Sequence, residues 1–299
     1  MTATACEGQI LALAATSARL CEEGRQRHDA WPTAAAALGR VLTGTALLAL
    51  RLKAGGSVTV RVRGDGPLGG VLATATPDGA VRGYPVNPHV DLSRRADGKL
   101  DVGGAVGARG LLSVSRDLGL RQPYVGHAAL VSGEIAEDFT AYLARSEQIP
   151  SAVTLGVLVA RGRVRAAGGL MVQLLPGAPA SAAAQIEGNV ARIGPISRRI
   201  EGGASPEALL CEALGAFVPG VWEQTPLRFF CPCSRQRMLD ALAALPVTEV
   251  RAMREEDGGA ELVCHFCGNK YQLGVEDLAS VEQVVAERRA HGAPPPTGS

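Results

Sequence analysis

Residues 57–84 read SVTVRVRGDGPLGGVLATATPDGAVRGY, a run of short alternating segments broken by turn sequences. In Ser57–Arg63 valines alternate with polar residues, which is the two-residue period of a half-buried strand. The sequences GDGP and DG are typical of turns, and they bound two further strands predicted at Val71–Thr76 and Ala80–Tyr84. The stretch therefore predicts an antiparallel meander.

Helices are predicted on both sides of this meander. Pro32–Leu52 is rich in alanine and leucine, and its apolar residues recur at helical intervals, so it predicts one long packed helix. Antiparallel strands interrupted by only two helices indicate an α+β domain, not a parallel βαβ sheet. We expect this core domain to span residues 1–178. Its remaining elements are predicted strands at Leu111–Arg116 and Tyr124–Ser132, a helix at Glu134–Arg145, and a hairpin of Thr154–Ala160 with Val164–Leu175.

The chain changes character after Pro176-Gly177. Alanine-rich and helical sequence predicts a helical linker over residues 179–228, with Gly202-Gly203 as a break within it. Residues 229–283 hold four of the seven cysteines and predict a small second domain. We expect residues 284–299, which contain three consecutive prolines, to form a flexible tail.

Composition limits the classes of function. The 299 residues include 30 Lys+Arg and 29 Asp+Glu, a net charge of +1, so no overall positive field exists to bind nucleic acid or an anionic membrane. No secretory leader and no apolar run of about 18–20 residues are present, which predicts a cytoplasmic protein that does not insert in a membrane. In that reducing compartment, metal ligation or redox chemistry is the expected role for clustered cysteines.

Four cysteines form two close pairs. Cys231-Pro232-Cys233 and Cys264-His265-Phe266-Cys267 are separated by 30 residues. Four thiols in this arrangement are the ligand set of a tetrahedral zinc site, so the sequence predicts one Zn²⁺ bound by Cys231, Cys233, Cys264 and Cys267. Gly268-Asn269 suits a tight turn that would direct backbone N–H groups toward the thiolates.

The zinc could be purely structural or could form part of a switch. A domain of about fifty residues buries little apolar surface, and structural zinc can supply about 10–16 kcal/mol toward folding. Conversion of the thiolates to disulfides would remove the ligands and unfold the domain. The C-x-C pair favours this second interpretation because its two sulfurs can reach each other. A binding module with a purely structural zinc ribbon remains the alternative.

Other interpretations of the cysteine region fit less well. Residues 228–282 carry six basic and nine acidic side chains, which is a poor charge balance for a nucleic-acid-binding ribbon. A thioredoxin-type enzyme needs one C-x-x-C in a βαβ context, and catalytic zinc needs an open coordination position. His265 is expected to be an exposed loop residue, not a ligand. We therefore predict no catalytic residues.

Several other groups are assigned structural roles. Glu134 and Asp138 are expected on one face near a helix N-terminus, where the helix dipole favours negative charge, so this acidic cluster predicts structure and not catalysis. Isolated cysteines are expected to be small buried apolar residues, and the glycine pairs are expected to form turns and close contacts, not phosphate loops. His28, His89 and His127 are expected to be ordinary structural or surface residues. The other members of the acidic, cysteine and glycine groups are Glu137, Cys6, Cys21, Cys211, Gly64, Gly66, Gly168 and Gly169.

The cysteine motifs resemble those of the redox-regulated bacterial heat-shock chaperones, the 33 kDa chaperonin family. The similarity lies in FCPCS with Arg237, and in CHFCGNKY over residues 264–271. It extends to SGEIAED at 132–138, SEQIPS at 146–151 and QLLPG at 173–177, so that it covers the chain from about Cys6 to Leu278. One departure is Gln236, where the family usually has glutamate.

The resemblance implies a non-enzymatic, ATP-independent holdase that binds unfolding client proteins under oxidative stress. The reduced, zinc-bound form would be monomeric and inactive. Oxidation would form the disulfides Cys231–Cys233 and Cys264–Cys267, release zinc, unfold the C-terminal region and favour a homodimer. Gln236 would alter the charge beside the zinc site without changing its ligands.

Overall fold

The computed structural model describes residues 1–290 and divides into two compact units, Met1–Phe230 and a second unit that begins at Cys231. The strands are β1 Thr2–Ala5, β2 Ile10–Thr16, β3 Ser57–Arg63, β4 Val71–Ala75, β5 Ala80–Pro85, β6 Leu111–Asp117, β7 Tyr124–Ala129, β8 Ser151–Ala160, β9 Arg163–Leu174, β10 Val221–Glu223, β11 Arg228–Phe229, β12 Gly259–Val263 and β13 Lys270–Gly274. The helices are α1 Ala18–Arg27, α2 Pro32–Ala49, α3 Val102–Val106, α4 Ala136–Arg145, α5 Ala182–Ile193, α6 Ile196–Glu201, α7 Pro206–Leu214, α8 Arg235–Leu242, α9 Val247–Glu255 and α10 Val275–Ala290.

The predicted meander forms the centre of a six-stranded sheet with the order β11-β5-β4-β3-β6-β7. β3 has the bounds that the alternation predicts, and its valines are buried while its arginines are exposed. All pairs in this sheet are antiparallel except the two-residue pair of β11 with β5. The antiparallel α+β fold class is therefore confirmed.

A second, five-stranded sheet has the order β10-β1-β2-β9-β8. β2 pairs with β9 from Ile10↔Leu174 to Thr16↔Gly168, and β9 continues into the predicted hairpin with β8. Strands β1 and β2 of this sheet were not predicted from the sequence. β2 is buried on both faces, so the alternation that reveals β3 is missing from it.

Helix α2 packs against strands of both sheets. Sixteen of its 18 residues are buried, as expected of a helix that is apolar on all sides. Two glycines permit this close packing, since a Cβ on Gly39 would lie 2.8 Å from Val157 Cγ2 and one on Gly44 would lie 2.7 Å from Phe139 Cζ. The prediction of one long packed helix is confirmed, with its end at Ala49 and not at Leu52.

Residues 179–228, predicted as a helical linker, contain α5, α6 and α7. Leu209 and Leu210 of α7 are fully buried in a cluster that includes Ile10, Leu170 and Val172 of the five-stranded sheet. These helices therefore belong to the core of the first unit and do not form a free connection between domains.

The second unit contains the hairpin β12–β13 and helices α8, α9 and α10. Its buried core is aliphatic, and Phe266 and Tyr271 are only partly buried. Helix α10 runs through Ala290, so the predicted tail at 284–299 begins within a helix, and residues 291–299 lie outside the described residues. The core residues are Leu242, Ala243, Val250, Leu273, Leu278, Val281 and Val285.

Candidate metal centre

The first cysteine pair directly precedes α8. Cys231-Pro232-Cys233 has no regular secondary structure, and Ser234 follows as the N-cap, with its Oγ accepting a hydrogen bond from the Arg237 backbone N–H at 3.3 Å. A serine at this position starts a helix because it satisfies a backbone donor that has no partner within the helix. Helix α8 therefore begins two residues after Cys233.

The second cysteine pair lies in the loop of the β12–β13 hairpin. The Cys264 N–H donates to the Asn269 carbonyl at 2.9 Å, and the Gly268 N–H donates to the Cys264 carbonyl at 2.8 Å. Gly268 has φ +72°, a conformation that glycine adopts without a steric penalty. The predicted tight turn at Gly268-Asn269 is therefore present, and it folds Cys267 back toward Cys264.

The four sulfurs converge. All Sγ atoms of Cys231, Cys233, Cys264 and Cys267 lie within 4.8 Å of one another. Cys231 Sγ is 3.7 Å from Cys264 Sγ, and Cys233 Sγ is 3.3 Å from Cys267 Sγ. Tetrahedral zinc with Zn–S bonds of about 2.3 Å places its sulfurs roughly 3.8 Å apart. The donor set and its spacing are therefore consistent with one zinc ion.

Burial and hydrogen bonds shift the pKa values of the cysteine thiols in different directions. Burial acts to raise the pKa of Cys233, but hydrogen bonds, foremost the one that the Tyr271 hydroxyl donates at 3.1 Å, outweigh burial and lower it. Burial raises the pKa of Cys264, against a backbone hydrogen bond from Phe266, and burial also raises the pKa of Cys267. Because zinc binds thiolates, binding of the ion would require these thiols to lose their protons.

From the sequence, Tyr271 is noted only as the last residue of the CHFCGNKY segment, and no contact with a cysteine is predicted for it. Its role as a donor to Cys233 depends on the β12–β13 register, in which Tyr271 lies opposite Leu262. The sequence contains no periodic signal for this contact, because the two residues are 38 positions apart. His265 is exposed, as expected for a loop residue.

The three isolated cysteines lie outside this cluster. Cys21 is buried, close to Ser17 Oγ and Thr43 Oγ1, and burial raises its pKa to about 11. Cys6 is partly buried, and Cys211 is exposed on α7. The expectation of burial is therefore correct for Cys21 and wrong for Cys211, because the apolar face of α7 is formed by Leu209, Leu210, Ala213 and Leu214.

The acidic cluster near α4 has a structural role, but Glu134 does not share a helix face with Asp138, because α4 begins at Ala136 and Glu134 precedes its N-cap, Ile135. Asp138 is buried, and its carboxylate accepts backbone hydrogen bonds from Val131 at 2.7 Å and from Ile135 at 2.9 Å. Glu134 forms ion pairs with Arg40 and Arg95 at 2.6 and 2.9 Å. Burial opposes ionisation of Glu134, but the Arg40 hydrogen bond and charge lower its pKa overall.

Comparisons with known proteins agree with this geometry. The sequence model of the family described as Hsp33 protein matches residues 1–274. The chain belongs to the Hsp33 family. It is similar to the 33 kDa chaperonin of Symbiobacterium thermophilum, with 50% identity over 94% of this chain and 96% of the relative. The 33 kDa chaperonin of Bacillus subtilis is 45% identical over 92% of this chain and 95% of its own length.

A solved structure extends the similarity to the fold. The crystal structure of the 33 kDa chaperonin of Thermotoga maritima, a heat shock protein 33 homologue, superposes with a TM-score of 0.90 at 36% identity. The match covers 96% of this chain and 98% of that one. Family membership supports a chaperone function. None of the helices in residues 1–290 has the length and apolarity that a membrane-spanning helix needs.

Proposed function

We propose that this chain is a holdase whose activity is controlled by the oxidation state of Cys231, Cys233, Cys264 and Cys267. The observation that carries the proposal is the convergence of their four sulfurs within 4.8 Å of one another. A closed four-thiolate shell leaves no position for substrate, which supports a structural or switching role in preference to catalysis. The reduced form would be inactive and monomeric.

In the reduced form, the four cysteines would hold one zinc ion. A bound zinc ion would cross-link two halves of the second unit. Cys231 and Cys233 precede α8, whereas Cys264 and Cys267 lie in the β12–β13 loop. Within residues 231–290, the buried apolar cluster consists of seven residues, none of them aromatic. Such a core supplies little stability, so we infer that the unit depends on the cross-link.

Oxidation would consume the ligands. Each disulfide forms when two thiols lose two electrons and two protons to one hydrogen peroxide molecule, which is reduced to two water molecules. The proposed pairs are Cys231–Cys233 and Cys264–Cys267, so two peroxide molecules are consumed and no thiolate remains to bind zinc. Each pair lies within one half of the site, and neither disulfide would replace the connection between the halves.

Loss of that connection would unfold the second unit and expose its aliphatic core. Exposed apolar surface is what a holdase needs to bind unfolding client proteins. Apolar side chains of the first unit, including Val218 and Trp222, are already exposed and could contribute. We propose that the oxidised form binds clients without ATP, as a homodimer in the cytoplasm.

The test is suppression of the thermal aggregation of an unrelated client protein. The reduced, zinc-loaded chain is compared with the same chain after warm peroxide treatment, and zinc release and free thiols are measured in parallel. We expect protection from the oxidised form alone, with loss of four thiols and of one zinc ion per chain. Cys211→Ser is a matched control, because Cys211 is exposed and lies outside the cluster.

Two results would contradict the proposal. If peroxide leaves zinc bound and the four thiols intact, the site is structural, as in the alternative of a zinc ribbon without a switch. If both forms protect the client equally, the chain is a chaperone whose activity does not depend on these cysteines.

A further inference from the structure

A cleft in the first unit has an excess of positive charge. Its volume is about 540 Å³, within the range of small-molecule sites. It is lined by the 94–100 loop, by α2 and α4, by strand β8 and by residues 194–198 at the start of α6. Five basic residues face two acidic ones, Glu134 and Glu137; the basic residues are Arg40, Arg94, Arg95, Lys99 and Arg198.

Internal ion pairs compensate only part of this charge. Glu134 pairs with both Arg40 and Arg95, and Lys99 pairs with Asp97 at 3.4 Å. Arg94 donates to a neutral acceptor, the Gly98 carbonyl, at 3.0 Å. Counting Asp97 with the lining residues still leaves an excess of two positive charges. Like charges gathered in a concave site concentrate their field and attract anions.

Two arginines have unused hydrogen-bonding capacity. The side chain of Arg198 has no ion pair or hydrogen bond with any residue in the described part of the chain. The Nε of Arg40 is buried and has no acceptor among the described residues, although its Nη1 contacts Glu134. A buried donor without an acceptor costs free energy, whereas the exposed guanidinium of Arg198 is available to a ligand.

We propose that this cleft binds a phosphorylated small molecule that carries at least two negative charges. Guanidinium groups bind phosphate oxygens through paired N–H donors, and the site offers several of them. Its volume exceeds what a lone phosphate needs, and Leu100, Leu155 and Val157 line it beside the arginines, so there is room for an organic body. The near-neutral chain and the concave site favour a small ligand over nucleic acid.

The ligand would connect segments that are distant in sequence. Arg198 lies in α6, which packs on β8 and β9, whereas Arg94 lies in a loop that precedes α3. A phosphoryl group bound by both would fasten α6 to the rest of the unit. Because binding to the folded state alone raises its stability, the ligand is expected to raise the melting temperature of the first unit.

The test is titration calorimetry on the full, reduced, zinc-loaded chain. Fructose 1,6-bisphosphate is the probe, fructose is the uncharged control, and inorganic phosphate tests the phosphoryl group alone, with ionic strength held constant by potassium chloride. We expect saturable one-to-one binding of the bisphosphate, weaker binding of phosphate and none of fructose. Arg94→Gln and Arg198→Gln should each weaken binding at least tenfold, because both side chains are exposed and can be replaced without disturbing the core.

Arg121→Gln is the matched control, since Arg121 is an exposed arginine outside the cleft and its replacement should leave the affinity unchanged. Absence of saturable binding would overturn the proposal. It would also be overturned if Arg94→Gln and Arg198→Gln bind the bisphosphate as tightly as the wild type does. Binding of single-stranded nucleic acid in place of the bisphosphate would overturn the assignment to a small molecule.

Discussion

In the first unit, the buried helix α2 packs against strands of two sheets. In the second unit, the C-x-C segment before α8 and the loop of the β12–β13 hairpin bring four cysteine sulfurs close together. In the first unit, one buried apolar cluster joins the N-terminal strands, β9 and helices α5 to α7. In the described part of the second, seven aliphatic residues form the buried cluster, and four free cysteines lie close together. If zinc stabilises the second unit as proposed, chemistry on its four sulfurs would be enough to unfold it, whereas unfolding the first unit requires the disruption of many apolar contacts.

The largest expected effect tests the dependence of the second unit on zinc. Cys264→Ser removes one ligand, and since structural zinc contributes about 10–16 kcal/mol to folding, we expect the second unit to be unfolded even in reductant. Limited proteolysis should cleave residues after Cys231 rapidly while Met1–Phe230 stays resistant. Cys211→Ser should be digested as the wild type is, and an unchanged pattern for Cys264→Ser would show that zinc does not stabilise this unit.

The second prediction tests the dependence of the first unit on packing. Phe139 is fully buried, and the Cβ position of Gly44 lies against its ring. Phe139→Ala should lower the free energy of unfolding of this unit by about 3–5 kcal/mol, because it leaves a cavity. Denaturant unfolding measures the change. Leu120→Ala, at a side chain that is 70% exposed, should change it by less than about 0.5 kcal/mol.

The zinc content of the Phe139→Ala variant tests whether the two units fold independently. Phe139→Ala should still bind one zinc ion per chain in reductant, since the four proposed ligands all lie in the second unit, which begins at Cys231. Loss of zinc from this variant would mean that the two units do not fold independently.

A smaller effect is expected from the polar support of α4. Asp138→Ala removes the acceptor of four backbone N–H groups, those of Val131, Ser132, Gly133 and Ile135. Unsatisfied buried donors should destabilise the first unit by about 1–3 kcal/mol in denaturant unfolding. Glu137→Ala is the control, because Glu137 is exposed on the same helix turn. If Asp138→Ala and Glu137→Ala were equally stable, the hydrogen bonds accepted by Asp138 would not stabilise the first unit.

The smallest effect concerns Gln236. Its Nε2 donates to Asp240 Oδ1 at 3.0 Å, and Gln236→Glu would replace this bond with a repulsion of about 0.2–0.5 kcal/mol. Negative charge in the first turn of α8 offsets this cost through the helix dipole. The stability of the second unit should therefore change by less than about 0.5 kcal/mol. A change above about 1 kcal/mol in its free energy of unfolding, measured in denaturant, would indicate that the residue acts on the zinc site.

Sequence patterns predicted elements where one face is exposed or where chemistry restricts the residue types. The alternation of β3 gave its bounds, and the spacing of the cysteines gave the candidate ligand set, because four thiols in two close pairs have few other uses. Strand β2 was missed because its residues are largely buried on both faces and show no alternation, whereas β1 does alternate but is only four residues long. Helix α1, with Cys21 buried against Ser17 and Thr43, was missed with them.

The sequence by itself determined the α+β class, the existence of a separate cysteine-rich unit and the four thiols that can bind zinc. These follow from local periodicity and from ligand chemistry, which neighbouring residues express directly. The tertiary structure decided the strand order of the two sheets, the burial of α7, the donation from Tyr271 to Cys233 and the basic cleft around Arg40 and Arg198. Each of these joins residues that are far apart in the chain, and such pairings depend on how the elements pack.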